Sequence, residues 1–276
     1  MSSRLELKLS ACMLYVYSNL TLGNAKASER GLEIIRGCLR KEMEAPTSER
    51  NTAYCVFAGY MGTVLLHLST EKLPDMKKYM SSLPQGLRIF AAYVISHNLY
   101  LKGEYSRALG ICDAALFSCK EIYPVGMIYL YCVTAMCEIS LKNQAEAEKA
   151  ILTAWKLAEK DELIEPFIEL HGLLQGLLES CIRKENPEMY RKISDAVITF
   201  SCGWMAVHNP ASDNLVTDAL TTMEFSIAML ACRDWSNREI AEHMGLSLNT
   251  VKHYLTDIFN KIHVKKRDEL KNFVLK

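Results

Sequence analysis

Residues 220–270, LTTMEFSIAMLACRDWSNREIAEHMGLSLNTVKHYLTDIFNKIHVKKRDEL, punctuate themselves into helices. Thr221 with Glu224, and Ser236 with Glu239, each place a capping oxygen before a helix and a carboxylate three residues on, the reciprocal pattern that satisfies two orphan backbone donors. Ser247 marks a third start, and Gly245 just before it supplies the positive φ that ends a short helix. Apolar residues recur at helical spacing: Phe225 and Met229, then Ile240, Ala241 and Met244, then Val251, Leu255, Ile258 and Ile262. These faces are expected to form one small core. Ala241 is small where the two middle helices must cross, and Gly245-Leu246-Ser247 makes the tight corner.

On these residues the segment resembles the LuxR/FixJ-type DNA-binding domain of bacterial transcription factors. The matching blocks are Ser236-Asn237-Arg238-Glu239-Ile240-Ala241, Ser247 through Tyr254 (SLNTVKHY), and Lys261-Ile262-His263-Val264-Lys265-Lys266-Arg267. Two departures stand out. Thr222-Met223-Glu224 replaces the usual Pro-Arg-Glu, and Asp234 stands where glycine is usual; aspartate adopts the left-handed conformation less readily. The resemblance implies that Lys252, His253 and Thr256, on the outward face of the third helix, reach base edges. It further implies that Ser236, Asn237, Ser247, Asn249, Thr250 and Lys261 hold phosphates or the local fold. Lysine can reach guanine O6 and N7, and threonine offers a hydroxyl and a methyl, so such a face can read a major groove. Asp257 brings a negative charge beside it. The resemblance also implies pairing through the last helix, near Lys266 to Leu275, where Leu270, Phe273 and Val274 form an apolar stripe.

Charge agrees with a nucleic-acid partner in this segment alone. The chain has 32 basic and 32 acidic side chains. From Ser247 to Lys276, however, seven lysines or arginines face three acids, a net of +4. A locally basic end is what phosphate attraction requires, and a neutral whole excludes a global field towards nucleic acid or membrane.

Upstream, from Leu5 to about Phe200, helical apolar patterns alternate with short breaks, and period-two strand patterns are almost lacking, so the fold class is all-α. Leu101-Lys102-Gly103-Glu104-Tyr105-Ser106-Arg107-Ala108, with Ala115 beyond, resembles the turn and second helix of a tetratricopeptide repeat. Leu141-Lys142-Asn143-Gln144-Ala145-Glu146-Ala147, with Ala154 beyond, is a second copy in which Asn143 is read as replacing glycine at the break. A TPR-like array over 1–202 is therefore expected, with a helical fold around one cavity as the competing reading. Tyr93, Tyr100, Tyr123, Tyr129, Tyr131 and Trp155 suit a concave surface, but aromatics at helical spacing more often pack in a core. Residues 203–218, with Asn209-Pro210-Ala211-Ser212-Asp213-Asn214, read as a linker, and 219–276 as the DNA-binding module.

Several classes are set aside. The most apolar run, Tyr54 to Leu68, contains His67 and is too short for a membrane span. The N-terminus shows no secretory signal. Ten cysteines lie scattered without a C-x-x-C pair, as in a reduced cytoplasmic protein. No phosphate-loop motif, no strand–helix alternation of a receiver domain and no catalytic or metal-ligand spacing occurs. The expectation is a cytoplasmic, cofactor-free, non-enzymatic transcription regulator. Its partners would be double-stranded DNA, a second copy of itself and an effector protein, peptide or small molecule on the array. The alternative is an interaction scaffold whose DNA module is weak or vestigial.

Overall fold

The computed structural model describes residues 2–22, 24–66, 73–208 and 220–274; the side chains of residues 2–4, 25, 65–66, 202–208 and 271–274 lie outside the description. Every regular element among the described residues is helical.

The chain begins with a helix hairpin, α1 (Ser2–Thr21) and α2 (Ala25–Glu44), followed by α3 (Glu49–Leu66) and a 3₁₀ helix (Met76–Ser82). Asn24 caps α2 by accepting from the Ala27 amide. Two further hairpins stack on one another: α4 (Gln85–Leu101) with α5 (Tyr105–Ser118), and α6 (Pro124–Ser140) with α7 (Gln144–Ala158). Their crossings are close because the contacting residues are small, Ala108, Ala147 and Ala154 being wholly buried.

The two hairpin turns correspond at Gly103 (φ 75°) and Lys142 (φ 63°). The residue in the glycine position of the second turn is therefore Lys142, and Asn143, which the sequence suggested, has an ordinary φ of −89° and precedes α7 without a side-chain capping bond. A left-handed lysine costs roughly 1–2 kcal/mol. What its side chain touches is described below.

Beyond α7 regular stacking stops. The chain passes through α8 (Glu165–Glu169), an irregular turn with left-handed Gln175 and Gly176, a π-helical turn (Leu178–Ile182) and α9 (Arg183–Glu185). It then forms the long α10 (Pro187–His208), whose buried stripe of Met189, Ile193, Val197 and Phe200 packs back on α1 and α2. The last helix of the domain thus meets its first hairpin. Between them α1, α3, α4 and α6 line a pocket that opens to solvent. α10 also runs through residues 203–208, which the sequence assigned to the linker, and residues 209–219 lie outside the described residues.

Four helices complete the chain: α11 (Thr222–Cys232), α12 (Asn237–Met244), α13 (Leu248–Lys261) and α14 (Arg267–Val274). Among the described residues no helix is long and apolar enough to cross a membrane. Six of the nine described cysteines are buried. Burial pushes the Cys112 thiol up to about 11 and the Cys55 and Cys137 thiols up to about 12. These sulfurs stay protonated and unreactive at neutral pH, and pack as small hydrophobes.

Candidate nucleic-acid interface

The three helix starts read from sequence form as local hydrogen-bond chemistry dictates. The Thr221 and Glu224 pair closes a capping box on α11, and Ser236 with Glu239 closes one on α12. Ser247 caps α13 by accepting from the Thr250 amide at 3.0 Å. Gly245 ends α12 with φ 64°, and Asp234 adopts the left-handed φ of 62° at the position where the resembling family has glycine. Truncating one such cap, as in Thr221→Ala, is expected to lower thermal stability by about 1 kcal/mol, with helix content otherwise retained by circular dichroism.

Glu224 has a second task. Lys261, at the C-terminal end of α13, reaches both its carboxylate oxygens at 2.8 and 2.7 Å. Burial pushes the Glu224 carboxyl up, but the bonds from Lys261 and Thr221 more than reverse this and leave it below the usual carboxylate range. The bridge ties the start of α11 to the end of α13 and sets the angle at which α13 is presented. Lys261 is thereby engaged in the module's own fold, one of the two roles the resemblance implies for it.

Arg267 is the other clamp. Its guanidinium donates to the Ala231 carbonyl and to Asn237 Oδ1, both at 3.1 Å, and to the Trp235 carbonyl. Three acceptors around one planar fork explain why arginine, with donors held in fixed directions, occupies the end of the third motif block. Asn237 is thus held on one side by Arg267 and is half-buried. Ser236 and Ser247 spend their hydroxyls on capping, and Ser247 also bonds the Thr250 hydroxyl at 2.7 Å.

The two faces of α13 divide cleanly. Val251, Leu255, Ile258 and Ile262 are buried, the first and third completely. Asn249, Lys252, His253 and Thr256 lie on the opposite, exposed face at the spacing i, i+3, i+4, i+7, with Asp257 beside them. The Thr256 hydroxyl donates to the Lys252 carbonyl at 3.0 Å, leaving its methyl and an acceptor lone pair outward. The structure thus gathers every base-reading candidate onto one ridge of about two turns.

The apolar faces of α11, α12, α13 and α14 pack on one another as a core, and that core is continuous with the core of the helical domain, with Phe225 and Met244 at the junction. One expectation is corrected. Leu270, assigned to an exposed pairing stripe, is wholly buried within the chain, where α14 packs on α11. The side chains of Phe273 and Val274, and Leu275, lie outside the described residues.

The helical domain seats the module along α11 and α12, an interface that sequence reasoning missed. Arg233 donates to Ser140 Oγ at 3.1 Å and its guanidinium lies 5.8 Å from the Tyr100 ring. Lys142, strained into its turn, reaches Glu239 at 2.9 Å and sits 5.6 Å from the Trp235 ring centroid. The Lys142 bond, together with the Ser236 cap, holds the Glu239 carboxyl down at about 2. Phe225 stacks on His171 with centroids 6.4 Å apart and covers Gly172. His243 donates from Nε2 to the Gln175 carbonyl at 2.9 Å. The contacts fall behind α13 and leave its outward ridge uncovered.

Burial pushes His243 below the ordinary imidazole range, and the Gln175 bond with the Glu148 and Glu179 charges only partly opposes this. A depressed value in the docked state means that docking is fully supported above the undocked value of about 6.5 and weakens as pH falls below it. Hydrogen-exchange protection of α12, relative to intrinsic rates, is accordingly expected to fall as pH drops below about 6.5, and His243→Gln is expected to flatten that dependence.

Residues 218–274 match the description "bacterial regulatory proteins, luxR family". The C-terminal segment is a helix-turn-helix domain of that family; the match does not extend to the helical domain. No curated protein and no solved structure matches the chain.

Proposed function

We propose that the chain is a cytoplasmic, sequence-specific transcription regulator, in which α13 enters the major groove and the helical domain receives the signal. The observation that supports it most is the exposed ridge of Asn249, Lys252, His253 and Thr256 on a helix whose opposite face is fixed by buried packing and by the Glu224–Lys261 bridge. A reading helix needs this combination of free polar edges and a rigid back. Lys252 then pairs with guanine O6 and N7, while His253 and Thr256 contact neighbouring edges. The amides and exposed hydroxyl edges at the starts of α12 and α13, with Ser236, Asn237, Ser247, Asn249 and Thr250, face phosphates, where helix N-termini attract anions. The protein binds as a homodimer, with half-sites about 34–36 Å apart. The helical domain takes no catalytic step and acts by binding an effector.

The rival reading, a scaffold with a vestigial module, draws on Asp257 beside the ridge. Salt dependence separates the two. In fluorescence anisotropy with a mixed-sequence duplex, the regulator reading expects log affinity to fall linearly with log salt, by about 0.9 per phosphate neutralised. A flat or undetectable response from the folded chain would favour the scaffold.

A further inference from the structure

The helical domain carries a pocket of about 910 Å³, open to solvent on one side, between α1, α3, α4, α6 and the 162–169 segment. Its size is that of a small-molecule site. The wall is aromatic and aliphatic, with Tyr17, Phe57, Phe90, Tyr93 and Tyr129 converging on Glu169. Among the described residues that line it, the only charged ones are three glutamates, and no lysine, arginine or histidine is among them.

Two of those glutamates have partners. Glu162 meets Lys192 at 3.4 Å, and Glu165 accepts from the Thr21 hydroxyl at 3.1 Å. Glu169 is different: Oε2 accepts from Tyr129 Oη at 2.7 Å, and Oε1 is buried with no hydrogen-bond partner. A buried acceptor without a donor costs roughly 1–3 kcal/mol. Such a group in the wall of an apolar cavity marks where a ligand's donor belongs.

We infer that this cavity binds an apolar amine, whose ammonium donates to Glu169 Oε1 amid the rings of Tyr17, Tyr93 and Tyr129 and whose hydrocarbon body lies along Phe57 and Phe90. The choice of a cation follows from the wall. No basic side chain among the described lining residues offers an anion a partner, and tyrosine faces attract an ammonium. The proton inventory agrees. Burial pushes the Glu169 carboxyl up to about 8, against the lowering effect of its Tyr129 bond and with a smaller upward push from Glu165. The other titratable groups that face it are Tyr17, Tyr93, Tyr129 and Cys132, whose phenols and thiol burial pushes well up, so they stay neutral. At neutral pH the empty site therefore holds a protonated carboxyl. An entering ammonium replaces that proton, which leaves to solvent, and the charge inside the cavity stays balanced.

The inference rests on the regulator reading only for the ligand's role as effector. Geometry supports that role. Glu169 ends α8, and the backbone immediately following carries His171, Gly172, Gln175 and Gly176, the seat of the DNA module. His171 is in turn fixed by a buried bond to Glu179 at 2.8 Å.

The test uses tryptamine, tryptophol and indoleacetate, three probes sharing one apolar body, titrated calorimetrically into the full chain near neutral pH. Tryptamine is expected to bind at least about tenfold more tightly than either of the others, and to release about one proton per molecule bound, read from the heat in buffers of different ionisation enthalpy. Glu169→Gln keeps an acceptor for Tyr129 and is expected to reduce tryptamine to the tryptophol level and abolish the proton release, with tryptophol unchanged. Indoleacetate binding as tightly as tryptamine would overturn the inference. So would a tryptamine preference that survives Glu169→Gln, or no binding of any probe to a chain with wild-type helicity. Loss of DNA binding alongside intact amine selectivity would instead sink the regulator reading and leave the cavity assignment standing.

Discussion

Replacing Gly176 with valine is expected to destabilise the protein by about 2–5 kcal/mol, because two costs coincide at that position. Gly176 holds φ 84°, which a β-branched residue adopts only with strain. A Cβ there would also overlap the Met244 sulfur and lie 3.5 Å from His243 Nε2. Met244 is wholly buried and cannot swing aside. Gly103 offers the control, since it has a similar φ of 75° and nothing within 4 Å of a built Cβ. Gly103→Val is expected to cost only the conformational part, about 1–2 kcal/mol. The difference between the two variants in thermal unfolding isolates the docking contact. In Gly176→Val, hydrogen exchange is expected to quicken in residues 171–182 and in α12 together. Equal losses in the two variants would show that the α12 seat contributes little.

The second large effect is expected at Lys252. Alanine there removes the ridge's long basic side chain and is expected to weaken binding to a specific site by about 1–3 kcal/mol if the contact to guanine is bidentate. Stability is expected to be unchanged, since Lys252 is exposed. Lys261→Ala is expected to do the reverse. It leaves Glu224, a largely buried carboxylate in a capping box, without its cation, so its principal effect is on stability. The pair of variants therefore distinguishes reading from scaffolding within a single helix. Equal affinity of Lys252→Ala and wild type at matched salt would move base reading to other residues.

What could be read in the sequence, and what could not, follows from the range of the interactions. The caps of α11, α12 and α13 join residues three apart, and the left-handed positions at Asp234 and Gly245 are set by a single turn. Local chemistry specifies these, so three motif blocks sufficed for the module. Its seat was illegible because the bonds that make it span long stretches of chain, Lys142 to Glu239 and Gln175 to His243 among them. One signal was available. Segment 222–232, TMEFSIAMLAC, is apolar on every face, whereas a helix of a free-standing small domain keeps a polar side. The glycine-like position in the second hairpin turn was placed one residue late for a related reason: Asn143 favours turns by propensity, but Lys142 takes the strained conformation and its side chain reaches the module. The cavity was hidden differently. Tyr93 and Tyr129 fall on inward helix faces, and periodicity cannot tell a filled core from a lined hollow. Glu169, the residue that gives the hollow its chemistry, is one glutamate among many in the sequence. Leu270 misled by the converse argument, since a stripe at the chain's end reads equally as a pairing surface or as the cover of α11.

The central claim is that α13 reads a defined DNA sequence, and selection of bound fragments from the source genome by the purified full chain tests it most directly, with Lys252→Ala run in parallel at two salt concentrations. The account predicts enrichment of a partly palindromic site, with half-sites about one helical turn apart, that the wild type retains at the higher salt and the variant loses. Folded protein that enriches no sequence, or a variant that enriches the same site equally well, would contradict it.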